Sequence, residues 1–582
     1  MRPMLRKTLI CSCLMAASLV VRSSPEGAEE TTNAAVDAIF ADLTKPGSPG
    51  CALGIYRDGK IIYTKGYGLA NVEDNVPITP QTVFDVGSIS KQFTAASILL
   101  LEKQGKLRLD DDVRKYIPEL PDYSREGQKI TILHLLNHTS GLRDYVSLFL
   151  LAGIHYDNVT TDEDALAIIR RQKGLNFSPG SDWKYTGSGY LLLGLIVQRV
   201  TGKTLKGFAE ENIFQPLDMT HTQYRNDHTS LIANRALAYE QDEGGAYKLS
   251  VSYAEQNGDG MIHTSVEDLQ KWDENFYSGQ IGGKELVAEM QERGKSSDGR
   301  PLKYAKGLFL RNYRGLPTIW HAGESAAYLS NLLRFPEQHF SVACLCNGRF
   351  SPVYRSHRVA QLYLGELMKQ GEFDFATAEP EAKSTESLTG KQLLAWTGNY
   401  RNPKNQEIWQ ITKKEGTLWL DFEGNRRQLR ALSPTEFAPL RYIYEIRLRF
   451  ESARNSSRPK LIVSKEMEPT ATFEAVEAPA LSTPELTAYA GDYWSEELRA
   501  NYRLVMHDGK LLMKDLIGAD GIVHRGTIPS NELRSISADE FLLEGPPLIF
   551  RFTRDKNSKL TGFVLNGFSE RGISFTLAGK VK

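Results

Sequence analysis

The sequence predicts an α/β (α+β) domain, with helices covering a single sheet, followed by two small antiparallel β-barrels. Three observations lead there: a length of 582 residues, strand-like runs at both ends of a mostly helical stretch, and a repeat in the last third of the chain. Single cores stop growing near about 250 to 300 residues, so a chain of this length divides into domains. Apolar residues make up 41% and charged residues 24%, the balance of an ordinary globular protein. Lys and Arg number 70 against 71 Asp and Glu, for a net charge of -1, and no basic stripe stands out. Nucleic acid is therefore not an expected partner.

Residues 1–24 begin with Arg2, Arg6 and Lys7, continue through an apolar run from Leu9 to Val21, and end at Ser23 and Ser24. That order predicts a signal peptide and a periplasmic or secreted protein. The run is shorter than the roughly 20 residues a spanning helix needs, so no membrane span is expected in the mature chain. Removing the segment takes away Cys11 and Cys13 and leaves Cys51, Cys344 and Cys346, too few for a disulfide framework. Cys344 and Cys346 lie two apart in a strand, hence on one face of it, and read as core packing.

The domain expected over residues 31–375 opens with a hairpin, Cys51 to Gly66, turning at Arg57-Asp58-Gly59-Lys60. Phe93, Ala96, Ile98, Leu99 and Leu101 recur at helical spacing between Ser88 and Gln104, and Gly105 marks the stop. Further helices are expected at Asp162 to Gln172 and Tyr190 to Val200. Strands return at Leu308 to Arg311, Tyr328 to Phe335 and Phe340 to Cys346, before a helix near Val353 to Met368. Strands at both ends with helices between them make one sheet covered by helices.

A polar segment, 376–389, reads as a linker. Leu393-Leu394-Ala395-Trp396-Thr397-Gly398-Asn399-Tyr400 then recurs as Leu486-Thr487-Ala488-Tyr489-Ala490-Gly491-Asp492-Tyr493, and Gly416 matches Gly509 at the same offset. Each copy, 390–478 and 484–582, alternates apolar and polar residues between Gly, Asn and Asp turns, the pattern of a small lipocalin-like barrel.

The chemistry starts at Ser88-Ile89-Ser90-Lys91. A spacing of three places the Ser hydroxyl and the Lys amine on one helical face. A neutral hydroxyl is a weak nucleophile and needs such a base beside it, in a cavity that disfavours the charged amine. Ser457-Arg458-Pro459-Lys460 has the same spacing but reads as a solvated loop, a chance match. Ser88 instead stands at a helix start, where backbone N–H groups favour developing negative charge.

Thr82-Val83-Phe84-Asp85-Val86-Gly87-Ser88-Ile89-Ser90-Lys91-Gln92-Phe93-Thr94-Ala95 resembles the nucleophile segment of the class C β-lactamase family, which also holds D-aminopeptidases, esterases and DD-peptidases. Ile130 to Leu142 is similar to a second hallmark of that family. Gly258-Asp259-Gly260-Met261-Ile262, with Glu267-Asp268-Leu269 and Trp272, is similar to a third. The resemblance runs from about residue 32 to 372 and implies a β-lactamase/transpeptidase-like serine hydrolase fold.

The family's Tyr-x-Asn element is matched by Tyr185-Thr186-Gly187, which implies that Tyr185 shares or relays the Ser88 proton, while Gly187 departs from the usual Asn. His321-Ala322-Gly323 resembles the His-x-Gly form of the third element, which lies on an edge strand. It implies that His321 assists proton transfer or orients substrate, and that Gly323 lets substrate backbone lie close. The amides of Ser88 and Glu324 would then form the oxyanion hole. His134 and His138 have the i, i+4 spacing of a metal pair, but Leu135 stands where a zinc hydrolase has Glu, so their role reads as structural. No metal and no cofactor is expected.

Together these residues imply acyl transfer through a Ser88 acyl-enzyme on small molecules or short peptides, with D-amino-acid amides and D-peptides as leading substrates. Carboxylesterase, DD-peptidase or weak β-lactamase activity are alternatives. A non-catalytic sensor or cell-wall peptide-binding protein is the alternative of a different class, and Gly187 is its main support. Every candidate precedes residue 325, so the repeats are expected to shape substrate choice without supplying chemistry. In the D-aminopeptidase arrangement that the chain resembles, a loop of the last domain reaches the active-site mouth. Oligomeric state is not legible in the sequence.

Overall fold

The structure, a computed structural model, describes residues 25–369 apart from 124–128 and 243. It also describes 388–579 apart from 423–424, 441–445, 452–458, 466–469, 478, 480, 519–522, 525–531, 544–547 and 569. The expected signal peptide and nearly all of the linker lie outside the described residues, as does the start of the Ser457 to Lys460 match.

Helix α1 (Pro25–Ile39) leads to the predicted hairpin, β1 (Cys51–Arg57) and β2 (Lys60–Tyr67). Its two-residue turn puts Asp58 at φ 52° and Gly59 at φ 72°, the left-handed pair that matches the twist of the flanking strands. The sheet is completed by β3 (Arg293–Lys295), β4 (Pro301–Ala305), β5 (Leu308–Tyr313), β6 (Leu316–Ser325), β7 (Tyr328–Phe335) and β8 (Phe340–Cys346). Its order is β3-β4-β5-β6-β7-β8-β1-β2, antiparallel at every pairing. The first strand of the sheet in chain order is thus held by its last.

Alternation along β1 divides the two cores, as a period of two requires. Cys51, Leu53 and Ile55 belong to one core with Val36 of α1 and Val359 of the last helix of the domain. Ala52 and Tyr56 point into the other, with Phe93, Tyr190 and Trp272. Those three come from the helices α2 (Ser90–Lys103), α5 (Gly187–Thr201) and α6 (Val266–Ser278), and between α2 and α5 the chain forms α3 (Tyr145–Ala152) and α4 (Asp162–Arg170). The helix expected from Ser88 begins two residues later, because Gly87–Ile89 forms a 3₁₀ turn first.

One expectation is overturned. Cys51 and Cys346 are paired directly in the β1–β8 register and form a disulfide, with the buried Cys344 Sγ 3.8 Å from that of Cys346. The short separation within one strand concealed a partner across the sheet, and pairing register, not sequence spacing, decides which thiols meet.

The repeat forms two barrels. Eight strands from Gly398–Arg401 to Ala471–Val476 close on themselves. In the second copy the ring closes where Ala500–His507 pairs with Lys510–Ile517, and Val523–His524 adds to its rim. The copies share local devices: Tyr400 donates to Trp396 O at 2.9 Å and Tyr493 to Tyr489 O at 2.7 Å. Gly416 and Gly509 both adopt positive φ, 77° and 75°, at their turns. Both interiors are filled by aromatic side chains, Trp409, Phe422 and Phe473 in the first and Tyr502, Phe550 and Phe563 in the second. They resemble lipocalins in closure and differ in having packed centres.

The second barrel is docked on the helical part, and their buried side chains form one continuous cluster. Tyr502 donates to Leu151 O at 2.7 Å. Glu497 accepts from Arg143 Nη1 at 2.6 Å, Lys173 N at 2.9 Å and Ser574 N at 3.1 Å. Among the described residues no helix is long and apolar enough to cross a membrane.

Candidate active site

Ser88 stands in the 3₁₀ turn that feeds α2, and the turn is fixed from the strand beside it. Asp85 accepts from Gly87 N at 2.9 Å and from the Ser325 hydroxyl at 2.7 Å. Ser330 Oγ donates to Val86 O at 2.8 Å. Gly87 has φ 49°, and a Cβ there would lie 2.6 Å from Glu324 N. At Gly323 a Cβ would lie 1.9 Å from Val86 O. Neither position has room for a side chain, which is why β6 approaches the nucleophile backbone to backbone. Gly323→Ala should therefore push the turn away and slow serine labelling by about a hundredfold, since a displacement near 1 Å costs that much. An unchanged labelling rate in folded protein would show that β6 does not position Ser88.

β6 is an edge strand only in part. Its pairing with β5 runs from Leu316 to Trp320, so His321–Ser325 hydrogen-bonds to β7 alone and the other side of that stretch faces the Ser88 turn.

Lys91 is buried and donates to Ser88 Oγ at 3.1 Å and to Asp259 O at 2.7 Å. Its ammonium lies 4.9 Å from the centre of the Tyr185 ring and 5.6 Å from that of Tyr190. Burial lowers its pKa to about 8, against the pull of Asp259 and Asp144. An amine poised there is deprotonated often enough near neutral pH to act as a base. Tyr185 is different. Burial drives its pKa well above the usual phenol value despite the nearby Ser88 hydroxyl, and its own hydroxyl makes no hydrogen bond among the described residues. Its lining position suits proton relay as a neutral donor.

A cavity of about 350 Å³ opens over this group, lined by Ser88, Lys91, Tyr185, Gly187, Asp259 and Glu324 among others. Of the expected site residues, Gly323 and His321 do not line it. His321 is buried behind Tyr185, with Nδ1 2.6 Å from Ala322 O and Nε2 3.3 Å from the Tyr304 hydroxyl. Burial, with Lys91 nearby, lowers its pKa to about 3, so the ring is neutral. His138 sits in the same layer, its ring centre 4.4 Å from that of Tyr185, and accepts from Thr186 N at 3.3 Å through Nδ1. His134 closes a capping box with Thr131.

Asp144, Tyr145, Asp259 and Glu570 are among the lining residues that sequence reasoning did not place in the site. Asp144 caps α3 through Ser147 N at 3.1 Å and accepts from Gly187 N at 2.6 Å, so it joins the starts of two helices. Glu570 belongs to the last hairpin of the second barrel and accepts from Asn176 at 2.9 Å. Burial raises its pKa to about 7. Asp144 before the apolar run Tyr145 to Ala152 is a helix-start signal that the sequence reading did not use; nothing local marks Glu570.

Two clusters have metal-like spacing among the described residues. In the first, Cys51 and Cys346 are committed to the disulfide. In the second, His228 Nδ1 lies 2.6 Å from Glu255 in a partly exposed hydrogen bond apart from the cavity.

Residues 36–365 match the family model described as Beta-lactamase. Protein flp of Staphylococcus aureus (strain MRSA252) is 31% identical over 323 residues, 54% of this chain and 62% of flp. The D-aminopeptidase of Gluconobacter oxydans (strain 621H) is 28% identical over 332 residues, 57% of this chain and 61% of that protein. The chain thus spans about three fifths of the length of these curated relatives. Among solved structures, the octameric penicillin-binding protein homologue from Pyrococcus abyssi is similar at TM-score 0.54 and 25% identity, over 76% of this chain and 99% of that one.

Proposed function

Because the chain belongs to the β-lactamase family, we propose that it is a serine hydrolase that works through a Ser88 acyl-enzyme on amides or esters of small acyl compounds. The observation that carries this reading is the Lys91 amine 3.1 Å from the Ser88 hydroxyl, with its pKa lowered to about 8 by burial. Ser88 attacks the carbonyl and its proton passes to Lys91. The amides of Ser88 and Glu324 receive the oxyanion. Lys91 hands that proton on through Tyr185 to the leaving group, and a water that gives a proton to Lys91 then attacks the acyl-enzyme, releasing the acid and returning the proton to Ser88. His321 acts from behind, holding Tyr185 in an aromatic layer.

D-amino-acid amides and short D-peptides are the leading substrates, supported by the likeness to the Gluconobacter D-aminopeptidase. Export to the periplasm or beyond is part of the same reading, supported by the Cys51–Cys346 disulfide, since such bonds persist in oxidising compartments.

The test is a panel of D- and L-alanine p-nitroanilides, p-nitrophenyl acetate and a chromogenic cephalosporin. The D-anilide and the ester are expected to turn over, with kcat/KM rising as pH passes about 8, because only neutral Lys91 accepts the proton. The cephalosporin should stay well below roughly 10 per second, since His321 and Ala322 stand where related lactamases carry Lys and Thr. A cephalosporin turned over faster than the anilide would overturn the substrate assignment, and a flat pH profile would overturn the role of Lys91.

A further inference from the structure

The family's Asn is missing at Gly187, and its place is taken. A Cβ at Gly187 would stand 2.6 Å from Asp259 Oδ2 and 3.2 Å from Asp144 Oδ1. The Asp259 carboxylate therefore lies in the volume that a side chain at 187 would need. Its backbone carbonyl already accepts from Lys91 at 2.7 Å, and the same amine reaches Ser88 Oγ at 3.1 Å. That carbonyl and the nucleophile are thus no further apart than the two bonds laid end to end.

The carboxylate has capacity to spare. Among the described residues Tyr145 is the one side chain that donates to it, at 3.1 Å to Oδ1 and 3.2 Å to Oδ2. An ionised carboxylate offers about four lone-pair sites, and here no Lys or Arg among the described residues pairs with it. Asp144 differs, because its oxygens are occupied by Ser147, Thr186 and Gly187. A second, independent group points the same way. Glu570 is buried, lines the same cavity from the second barrel, and its Oε1 accepts no hydrogen bond among the described residues. Asp144, Asp259, Glu324 and Glu570 thus line a cavity in which Lys91 is the one Lys or Arg among the described lining residues, and Glu324 is paired at 2.8 Å with Arg349. Asp259 and Glu570 each offer spare acceptor capacity there, so a cationic substrate group finds partners that an anionic one does not.

We propose that Asp259 is a specificity-determining residue, standing in for the side chain absent at Gly187 and selecting substrates that carry an ammonium group beside the scissile carbonyl. The proposal rests on the serine hydrolase reading above and sharpens it. An Asn presents both a donor and an acceptor to substrate, whereas a carboxylate presents acceptors alone, so the exchange trades amide recognition for ammonium recognition.

The experiment uses the full chain and compares kcat/KM for D-alanine p-nitroanilide with that for its N-acetyl derivative, which keeps the shape and removes the charge. The natural chain should favour the free amine by at least about tenfold, the scale of one charge-assisted hydrogen bond. In Asp259→Asn both rates are expected to fall, the free amine by at least tenfold more, chiefly through KM. Asp259→Glu should keep part of the preference. Gly187→Asn combined with Asp259→Gly should move the preference toward the acetylated compound. If the natural chain shows no preference for the amine, the proposal is wrong whatever the variants do. Equal losses on both substrates in Asp259→Asn, in protein that folds, would assign the residue a structural role and overturn it as well. A natural chain that neither hydrolyses p-nitrophenyl acetate nor reacts with a fluorophosphonate would overturn the hydrolase reading, and this one with it. Reaction with both, without an amine preference, would overturn this one alone.

Discussion

Replacing Ser88 with alanine should abolish covalent labelling by a fluorophosphonate and lower kcat for p-nitrophenyl esters by on the order of 10⁴-fold or more. Nucleophile deletions in serine hydrolases have effects of that size, and what remains comes from the oxyanion site and binding. The expectation is specific because Lys91 has one hydroxyl to activate: its amine reaches Ser88 Oγ at 3.1 Å and otherwise donates to the backbone at Asp259. Mass spectrometry of the labelled peptide checks it. An adduct on a serine other than Ser88, or a folded chain that takes up no label, would favour a binding or sensor protein that keeps the fold without the reaction.

The second large effect is expected far from the nucleophile. Arg143 and Glu497 form a buried ion pair between the helical part and the second barrel. Removing one partner leaves the other charge buried and unpaired, which costs about 3 to 5 kcal/mol. Glu497→Ala should therefore lower the first thermal transition by on the order of 5 to 10 °C. The effect should reach substrate choice too, because Arg143 precedes Asp144, and the same barrel supplies Glu570 to the cavity. Differential scanning calorimetry gives the first quantity and a graded acyl series the second. A variant with an unshifted transition and unaltered acyl preferences would mean that the barrel is not mechanically joined to the site.

What the sequence revealed was local or periodic. The hairpin turn at Asp58 and Gly59, the helix after Ser88, and β7 and β8 follow from residue type and spacing over fewer than twenty positions, and the paired Tyr400 and Tyr493 from a segment that recurs further along the chain. The barrels follow from the same logic applied twice. What stayed hidden depends on pairs far apart in the chain. Cys51 meets Cys346 across 295 residues, and no spacing rule reaches that far. Gly187 read as a defect because the carboxylate that fills its place arrives from Asp259, in a segment legible only as a family hallmark. The motif around His321 was readable, but its depth was not. Whether a strand residue faces a cavity or the layer behind it depends on which neighbours crowd each side, here Phe309, Tyr304 and Tyr185. Glu570 was beyond reach because the docking of one domain on another leaves no periodic trace.

The bond between Cys51 and Cys346 also sets a boundary of another kind. Ser88, Lys91, Asp144, Tyr185, Asp259 and Glu324 all lie between the two cysteines, so the reacting groups, Glu570 apart, sit within one covalent ring, and both barrels hang outside it as a tail. Closing so long a ring restricts the unfolded chain by on the order of 5 kcal/mol. A cut within the ring leaves both pieces covalently attached, whereas after a cut beyond it the tail is held by noncovalent packing alone. The catalytic part can therefore survive nicking that would scatter an unbridged domain, while the second barrel, once the linker is cut, stays by its packing and its buried ion pair alone.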